Sequence, residues 1–224
     1  MEEAAQRLYK EWFVDLRFPG YENVRIVDGI PEGWGYKNIA DCGTIVTGKT
    51  PSTSNSTYYG GKIPFVKIPD MHLGIYPLQT EVKLTDVGAN SQKNKFIPKN
   101  SLLVSCIGTA GLVNISCQEC QTNQQINAVV LNNKYDLYYL YFVFKWLKDT
   151  LNAIGSNGVT MTNVNKDKFG KIKILYPNER LVLQFYDFAE NVFERILTLS
   201  KQNIKLAETR DDLLPKLMSG KIKL

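Results

Sequence analysis

Histidine is nearly absent from this chain: of 224 residues only His72 carries an imidazole. Catalysis by a histidine general base or a serine or cysteine triad thus has a single candidate, with no partner pattern around it. Cysteine is scarce too, at four residues. Cys117 and Cys120 have metal-ligand spacing, but a structural zinc site draws four ligands, and Cys42, Cys106 and His72 form no second pair. Buried thiols in a reducing compartment are the expectation. No apolar run approaches the roughly 20 residues that span a bilayer. The opening MEEAAQRLYKEWF is acidic and helical rather than a secretory leader. No membrane partner is expected, and the cytoplasm is the default location.

Arginine is missing from one stretch altogether. Residues 34–177 hold fifteen lysines, no arginine and eight acids, a balance of +7, whereas the rest of the chain holds 12 basic and 14 acidic residues. A basic body on roughly neutral arms points to a polyanionic partner or, equally, to a lysine-rich solvated surface. Hydrophobic content of 44% and aromatic content of 11% are those of a globular protein.

Along the chain, residues 2–13 read as an amphipathic helix with Ala4/Ala5, Leu8 and Trp12 on one face. Phe18-Pro19-Gly20 ends it, and a connector runs to Pro31-Glu32-Gly33-Trp34. Short β-like runs follow with turn punctuation: TIVTG, KIPFVKI, SLLVSCIG and NAVVL. Residues 136–154 look helical, 155–158 form a loop, and FGKIKIL at 169–175 reads as a last strand closed by Tyr176-Pro177. A heptad seam then passes through Phe185, Ala189, Val192, Ile196, Leu199, Asn203, Leu206, Arg210 and Leu213. Steps of four and three mark a helix whose stripe is buried against another helix, and a seam asparagine such as Asn203 fixes register. From 179 to 213 such a rod spans ~50 Å, with Pro215 and Ser219-Gly220 ending it. An amphipathic helix lying on its own domain is the plainer alternative. The fold class is α+β: one mixed α/β domain (34–177), a short N-terminal helix and connector (1–33), and a long C-terminal coiled-coil helix with its tail (178–224).

Three motif matches compete for function. GTIVTGKT at 43–50 fits the P-loop expression, but its β-branched interior forms strand, and Pro51 disfavours the helix that must start at Thr50. Pro69-Asp70, then Glu81-Val82-Lys83, matches a loose metal-nuclease spacing in which Asp70 and Glu81 hold Mg²⁺ and Lys83 steadies developing charge. Gly74 and Pro77 break the hairpin that should carry those acids. Asn123-Gln124-Gln125 can pair with adenine edges or brace a turn, and bracing is favoured.

Several segments together resemble one family. GKTPS at 48–52, YYGG at 58–61 and IPFV at 63–66 resemble the opening of a target recognition domain in a Type I restriction-modification specificity subunit. SCIGTAG at 105–111 and TNQQ at 122–125 resemble its middle, LLPKLMSGKI at 213–222 the end of the family's long helix, and Glu3-Ala4-Ala5 with Trp12-Phe13-Val14 the tail of the preceding one. The resemblance implies a non-catalytic reader of double-stranded DNA that docks methyltransferase (M) and restriction (R) subunits. No cofactor is expected in this chain, since S-adenosylmethionine and ATP would sit on those partners. With one recognition domain and one full helix, it looks like a half-length subunit or a fragment of a longer one. Full function then needs a second copy or another specificity chain.

DNA contact is expected at Lys49, Ser52, Tyr58, Lys62 and Lys67, and on a second loop at Asn163, Asn165, Lys166 and Lys168. A symmetric antiparallel homodimer is expected through Phe185, Ala189, Val192, Ile196, Leu199, Asn203, Leu206 and Leu213. The Leu8/Trp12 face would cover the helix end near Leu213, Leu214 and Leu217, with the two readers ~50 Å apart at most. The rivals are a Mg²⁺-dependent nuclease using Asp70, Glu81 and Lys83, and a coiled-coil scaffold that never touches nucleic acid.

Overall fold

The computed structural model describes residues 1–155, 163–219 and 221; the loop expected at 155–158 lies beyond Gly155 outside them. Helix α1 (Glu2–Tyr9) widens into a π turn at Lys10–Val14. The hairpin β1 (Ile26–Val27) and β2 (Ile30–Pro31) leads to β3 (Gly35–Asn38), α2 (Ile39–Cys42) and β4 (Gly43–Thr47). Then come β5 (Tyr59–Val66), α3 (Ile68–Met71), β6 (Val82–Leu84) and α4 (Asp86–Asn90). Strands β7 (Leu102–Ser105), β8 (Val113–Ile115), β9 (Gln121–Thr122) and β10 (Ile126–Leu131) follow. The chain closes with α5 (Leu137–Trp146), α6 (Lys148–Gly155), α7 (Lys166–Gly170), β11 (Lys173–Tyr176) and α8 (Glu179–Met218).

The centre is an antiparallel sheet ordered β4-β10-β7-β8. Its inner strands are apolar on both faces because both are covered. Leu102, Val104 and Val129 enter the main core, while Leu103, Ile126 and Ala128 enter a smaller core on the other side. That is the two-residue alternation of strand side chains made visible. A second sheet joins β5 antiparallel to β6 and parallel to β9, and β11 pairs with β3. Helix α5, apolar on every side, lies inside the main core with Leu137 to Phe144 all buried.

Four expectations from the sequence need correction. Of the face expected on α1, Ala5 is fully buried and Leu8 and Trp12 are half-buried against the core, but the deepest contacts are made by Tyr9 and Phe13, which insert among Phe142, Tyr139 and Phe185. Phe169 and Gly170 belong to α7 rather than to the last strand, since the Asn165 side chain caps a helical turn there. Helix α8 ends at Ser219 as expected, but Pro215 takes no part in stopping it: the helix runs through the proline to Met218, 40 residues or ~60 Å. At this exposed end, water can satisfy the carbonyl that proline leaves without a donor.

The fourth concerns the seam. Phe185 and Ala189 are fully buried in the chain's own core and so cannot face a second copy, while Val192 and Ile196 are half-buried at its edge. Asn203 lines a cleft of about 310 Å³ between α8 and the chain's own segment 73–79, where Gln79 also donates to Glu208 at 3.4 Å. Leu206 and Leu213, 66% and 39% exposed, remain uncovered by their own domain. Trp12 packs on Phe185 of the same chain, with ring centroids 6.2 Å apart.

Truncating Phe185 to alanine should therefore cost the monomeric chain about 3–5 kcal/mol in denaturant unfolding, whereas Leu206→Ala should change the monomer's stability by no more than about 0.5 kcal/mol. Equal effects would contradict this division of the helix.

Candidate nucleic-acid interface

Strand directions gather the site. Register pairs Asn127 with Thr47, Ile126 with Ser105 and Val104 with Val113, so β4 and β7 finish where β10 and β8 begin. The segments after β4, between β7 and β8, and before β10 all issue from this one end of the central sheet. Asn163 joins them by bridging to Ile107. Lys49 of the first loop expected to touch DNA and Asn163 of the second thus lie at this same end, with Thr122 to Gln125 between them.

The segment leaving β4 is held tightly. Gly48 donates its N–H to Ile126 O at 3.1 Å, and Lys49 donates to Thr122 O at 2.9 Å. A Cβ on Gly48 would lie 2.1 Å from the Asn123 carbonyl oxygen, which is why glycine is needed there. The P-loop match is in fact strand β4, and Pro51 follows without a helix. Asn123 and Gln125 brace one another: Asn123 Nδ2 donates to Gln125 Oε1 at 2.9 Å, and Gln125 N donates to Asn123 Oδ1 at 3.2 Å. Gln124 is exposed and accepts a bond from Thr50 Oγ1 at 2.9 Å, leaving its amide nitrogen at the surface.

The residues expected at DNA fare unequally. Lys49 and Ser52 are exposed beside this sheet end, and Ser52 shares a 2.8 Å bond with Ser54. Tyr58 is half-buried on a 3-10 turn, where its carbonyl accepts from Thr85 N at 2.9 Å. Lys62 is exposed on β5. Lys67 is ion-paired with Glu81 at 2.6 Å, so its charge is already matched. Asn165 Oδ1 is taken up capping α7 through Lys168 N at 2.9 Å, while Lys166 and Lys168 are exposed along that helix. Helix α7 packs on the flank of β4, with Gly170 against Ile45 and Ala40.

The nuclease reading meets a different geometry. Asp70 is 3% exposed, and its two oxygens accept from Lys67 N (2.8 Å) and Glu81 N (3.0 Å), a latch between two turns. Glu81 faces Lys67, and Lys83 stands exposed on β6. Among the described residues no three His, Cys, Asp or Glu side chains gather to hold a metal. Burial pushes the Cys42 and Cys106 thiols up to about 11 and Cys120 to about 12, away from the thiolate. No described helix is long and apolar enough to cross a membrane.

Electrostatics single out the sheet end. Segments 47–58, 91–100, 105–115 and 121–127 contain no acidic residue at all. Of the fifteen lysines in 34–177 only Lys67 and Lys145 have a carboxylate in ion-pair reach among the described residues. Lys95 and Gln92, which sequence reasoning passed over, lie against this junction: Lys95 Nζ donates to Thr47 O at 3.0 Å and Gln92 Nε2 to Lys49 O at 2.7 Å. Contacts across more than forty residues left no local signal by which to find them.

A mixed α/β domain of this topology with a long trailing helix is shared by solved specificity subunits. The HsdS subunit from Thermoanaerobacter tengcongensis superposes with a TM-score of 0.59 at 16% identity, over 99% of this chain and 51% of that one. Residues 31–206 match the family profile described as "Type I restriction modification DNA specificity domain". The HindI Type I specificity subunit of Haemophilus influenzae is 41% identical over 195 residues, 86% of this chain and 42% of that protein. The MjaIX specificity subunit of Methanocaldococcus jannaschii is 23% identical over 237 residues, covering 53% of its own length. The chain belongs to the Type I restriction-modification specificity family, as its motifs suggested, and it spans about half the length of the curated relatives it matches.

Gly48→Ala should cost about 1–3 kcal/mol by overpacking against Asn123 and Thr122, read as a lowered unfolding midpoint. A neutral Gly48→Ala would show that the segment is not pinned as described.

Proposed function

We propose that this chain reads one half of a bipartite site in double-stranded DNA for a Type I restriction-modification complex, without catalysing a step itself. It docks methyltransferase and restriction subunits, which hold S-adenosylmethionine and ATP. A cytoplasmic setting, where DNA and reducing conditions coincide, goes with this reading. The observation that carries it is the acid-free, lysine-bearing end of the central sheet in a chain of the specificity family. Lysines supply sequence-independent phosphate contact, and exposed amides such as Gln124 and Asn163 offer base-edge donors and acceptors in place of an arginine fork.

We take the complete reader to need a second half, from another copy or another specificity chain. Support comes from the face of α8 that its own domain leaves exposed. Phe188, Leu206, Leu213, Leu214 and Leu217 are 42%, 66%, 39%, 47% and 37% exposed. At the base of the helix, Ala4, Leu8 and Phe188 line a shallow groove, ~37 Å along the helix from Leu213. In an antiparallel two-fold pair, the groove of each copy receives the Leu213 end of the other. Two identical readers so related imply a palindromic, interrupted site with its spacing set by the helix.

Duplex DNA affinity should fall with salt by about 0.9 log unit per log unit of salt for every phosphate contacted, measured by anisotropy titration. Flat affinity would overturn the phosphate-contact part of this proposal, and undetectable binding with the partner chains present would favour the scaffold. The isolated chain should neither transfer methyl groups nor cut DNA, and either activity in purified chain would refute the non-catalytic role. Sedimentation should show a dimer for the unmutated chain and a monomer for Leu199→Asp with Leu206→Asp; a monomeric unmutated chain would sink the homodimer.

A further inference from the structure

We infer that Lys93 and Lys95 join Lys49 in holding the phosphate backbone of one DNA strand, and that the buried Gln92–Gln121 pair positions Lys49 for that contact. This rests on the DNA-reading role proposed above and deepens it.

The 3-10 turn Lys93–Lys95 is fastened to the segment leaving β4 from two sides. Lys95 Nζ reaches Thr47 O, and Gln92 Nε2 reaches Lys49 O. Three lysines separated by up to 46 positions in sequence therefore share one junction. Lys49 and Lys93 are exposed, Lys95 is half-buried, and no described carboxylate lies within ion-pair reach of any of them. The backbone contacts thus bring three lysine positions to one junction that no acid offsets, a local excess of positive charge that attracts an anion. Lysine is a compact point charge that meets phosphate from many directions and distinguishes no base. This cluster would set where the duplex lies, leaving base discrimination to other side chains.

Below it runs a buried polar relay. Gln92 is 6% exposed and Gln121 is fully buried. Gln92 Nε2 faces two acceptors at 2.7 Å, Lys49 O and Gln121 Oε1, so the nitrogen must stand there. Gln121 Nε2 in turn donates to Ala89 O at 3.0 Å. Turning either amide over would set oxygen against oxygen, and so the relay has one direction. It fixes the Lys49 carbonyl to the scaffold around α4. Meanwhile Gln92 Oε1 and Thr122 Oγ1 are buried without a protein partner. An unmet acceptor is a cost that an apolar side chain of similar size would avoid. Keeping the amide despite that cost fits a positional task for the segment above it.

The test is anisotropy titration of the full chain with a mixed-sequence duplex of about three helical turns, following log affinity against log salt. Lys93→Ala with Lys95→Ala should flatten the slope by about 1.8, and Lys49→Ala by about 0.9. Gln92→Leu should flatten it by about 0.9 in the unmutated background and no further in Lys49→Ala. If leucine does not fold, Gln92→Met, which also removes the donor, takes its place. A brace that merely supports the fold would weaken binding at every salt without changing the slope, and its effect would add to that of Lys49→Ala. An unchanged slope in the Lys93/Lys95 variant, beside a steep slope in the unmutated chain, overturns this assignment alone. A Gln92 effect that persists undiminished in Lys49→Ala overturns the positioning role. An unmutated chain with no detectable binding, partner chains present, overturns the DNA-reading role as well.

Discussion

Phe185 is the joint on which the architecture turns. Its ring meets Phe13 edge to face at 5.2 Å, with Tyr9, Trp12 and Phe142 at 6.2 Å, so one side chain of α8 ties the N-terminal helix, α5 and the long helix together. Two turns further on, Phe193 repeats the contact with Tyr138 and Tyr141. Such ring pairs each add about 0.5–1.5 kcal/mol beyond the area they bury. They also fix the angle at which a ~60 Å helix leaves the body. Any second half that packs along that helix inherits this angle, and with it the placement of the sheet end.

The helix then serves two surfaces with one sequence repeat. Near its start, the apolar stripe belongs to the domain; beyond Phe193 it drifts off the core, and leucines at 206 and 213 come out at its edge. A straight helix of 3.6 residues per turn rotates against a strict seven-residue repeat. The heptad letters therefore could not say which positions stay at home. Asn203 illustrates this: its place in the repeat resembled a register-setting amide, yet it lines the cleft against segment 73–79 of its own chain.

The sheet end depends on a different economy of polar groups. Strand pairing brings three loops together, and buried amides from Gln92, Gln121, Asn123 and Asn127 lock them by side-chain bonds to backbone and to each other. Rigid support beneath acid-free loops is what a recognition surface needs, since a contact made by a pre-positioned group loses less entropy on binding. The same logic explains why Asp70, an acid in a suggestive motif, is sequestered under two backbone amides.

Composition and local pattern alone determined a good deal: the α+β class, the strands overlapping TIVTG, KIPFVKI, SLLVSCIG and NAVVL, the long helix, the lysine-only body, and through its motifs the family. These are legible because β-branched runs, helical periodicity and turn residues act over a few neighbours. The short strands β6, β8 and β9 gave no such signal, and the last strand was displaced by the Asn165 cap. Only the tertiary structure decided which lysines stand together. Lys67 is neutralised by a glutamate fourteen residues away, while Lys49, Lys93 and Lys95 converge across 46 positions. Charge pairing and strand register are set by distances in space, and those distances exist only once the sheet has closed over its core.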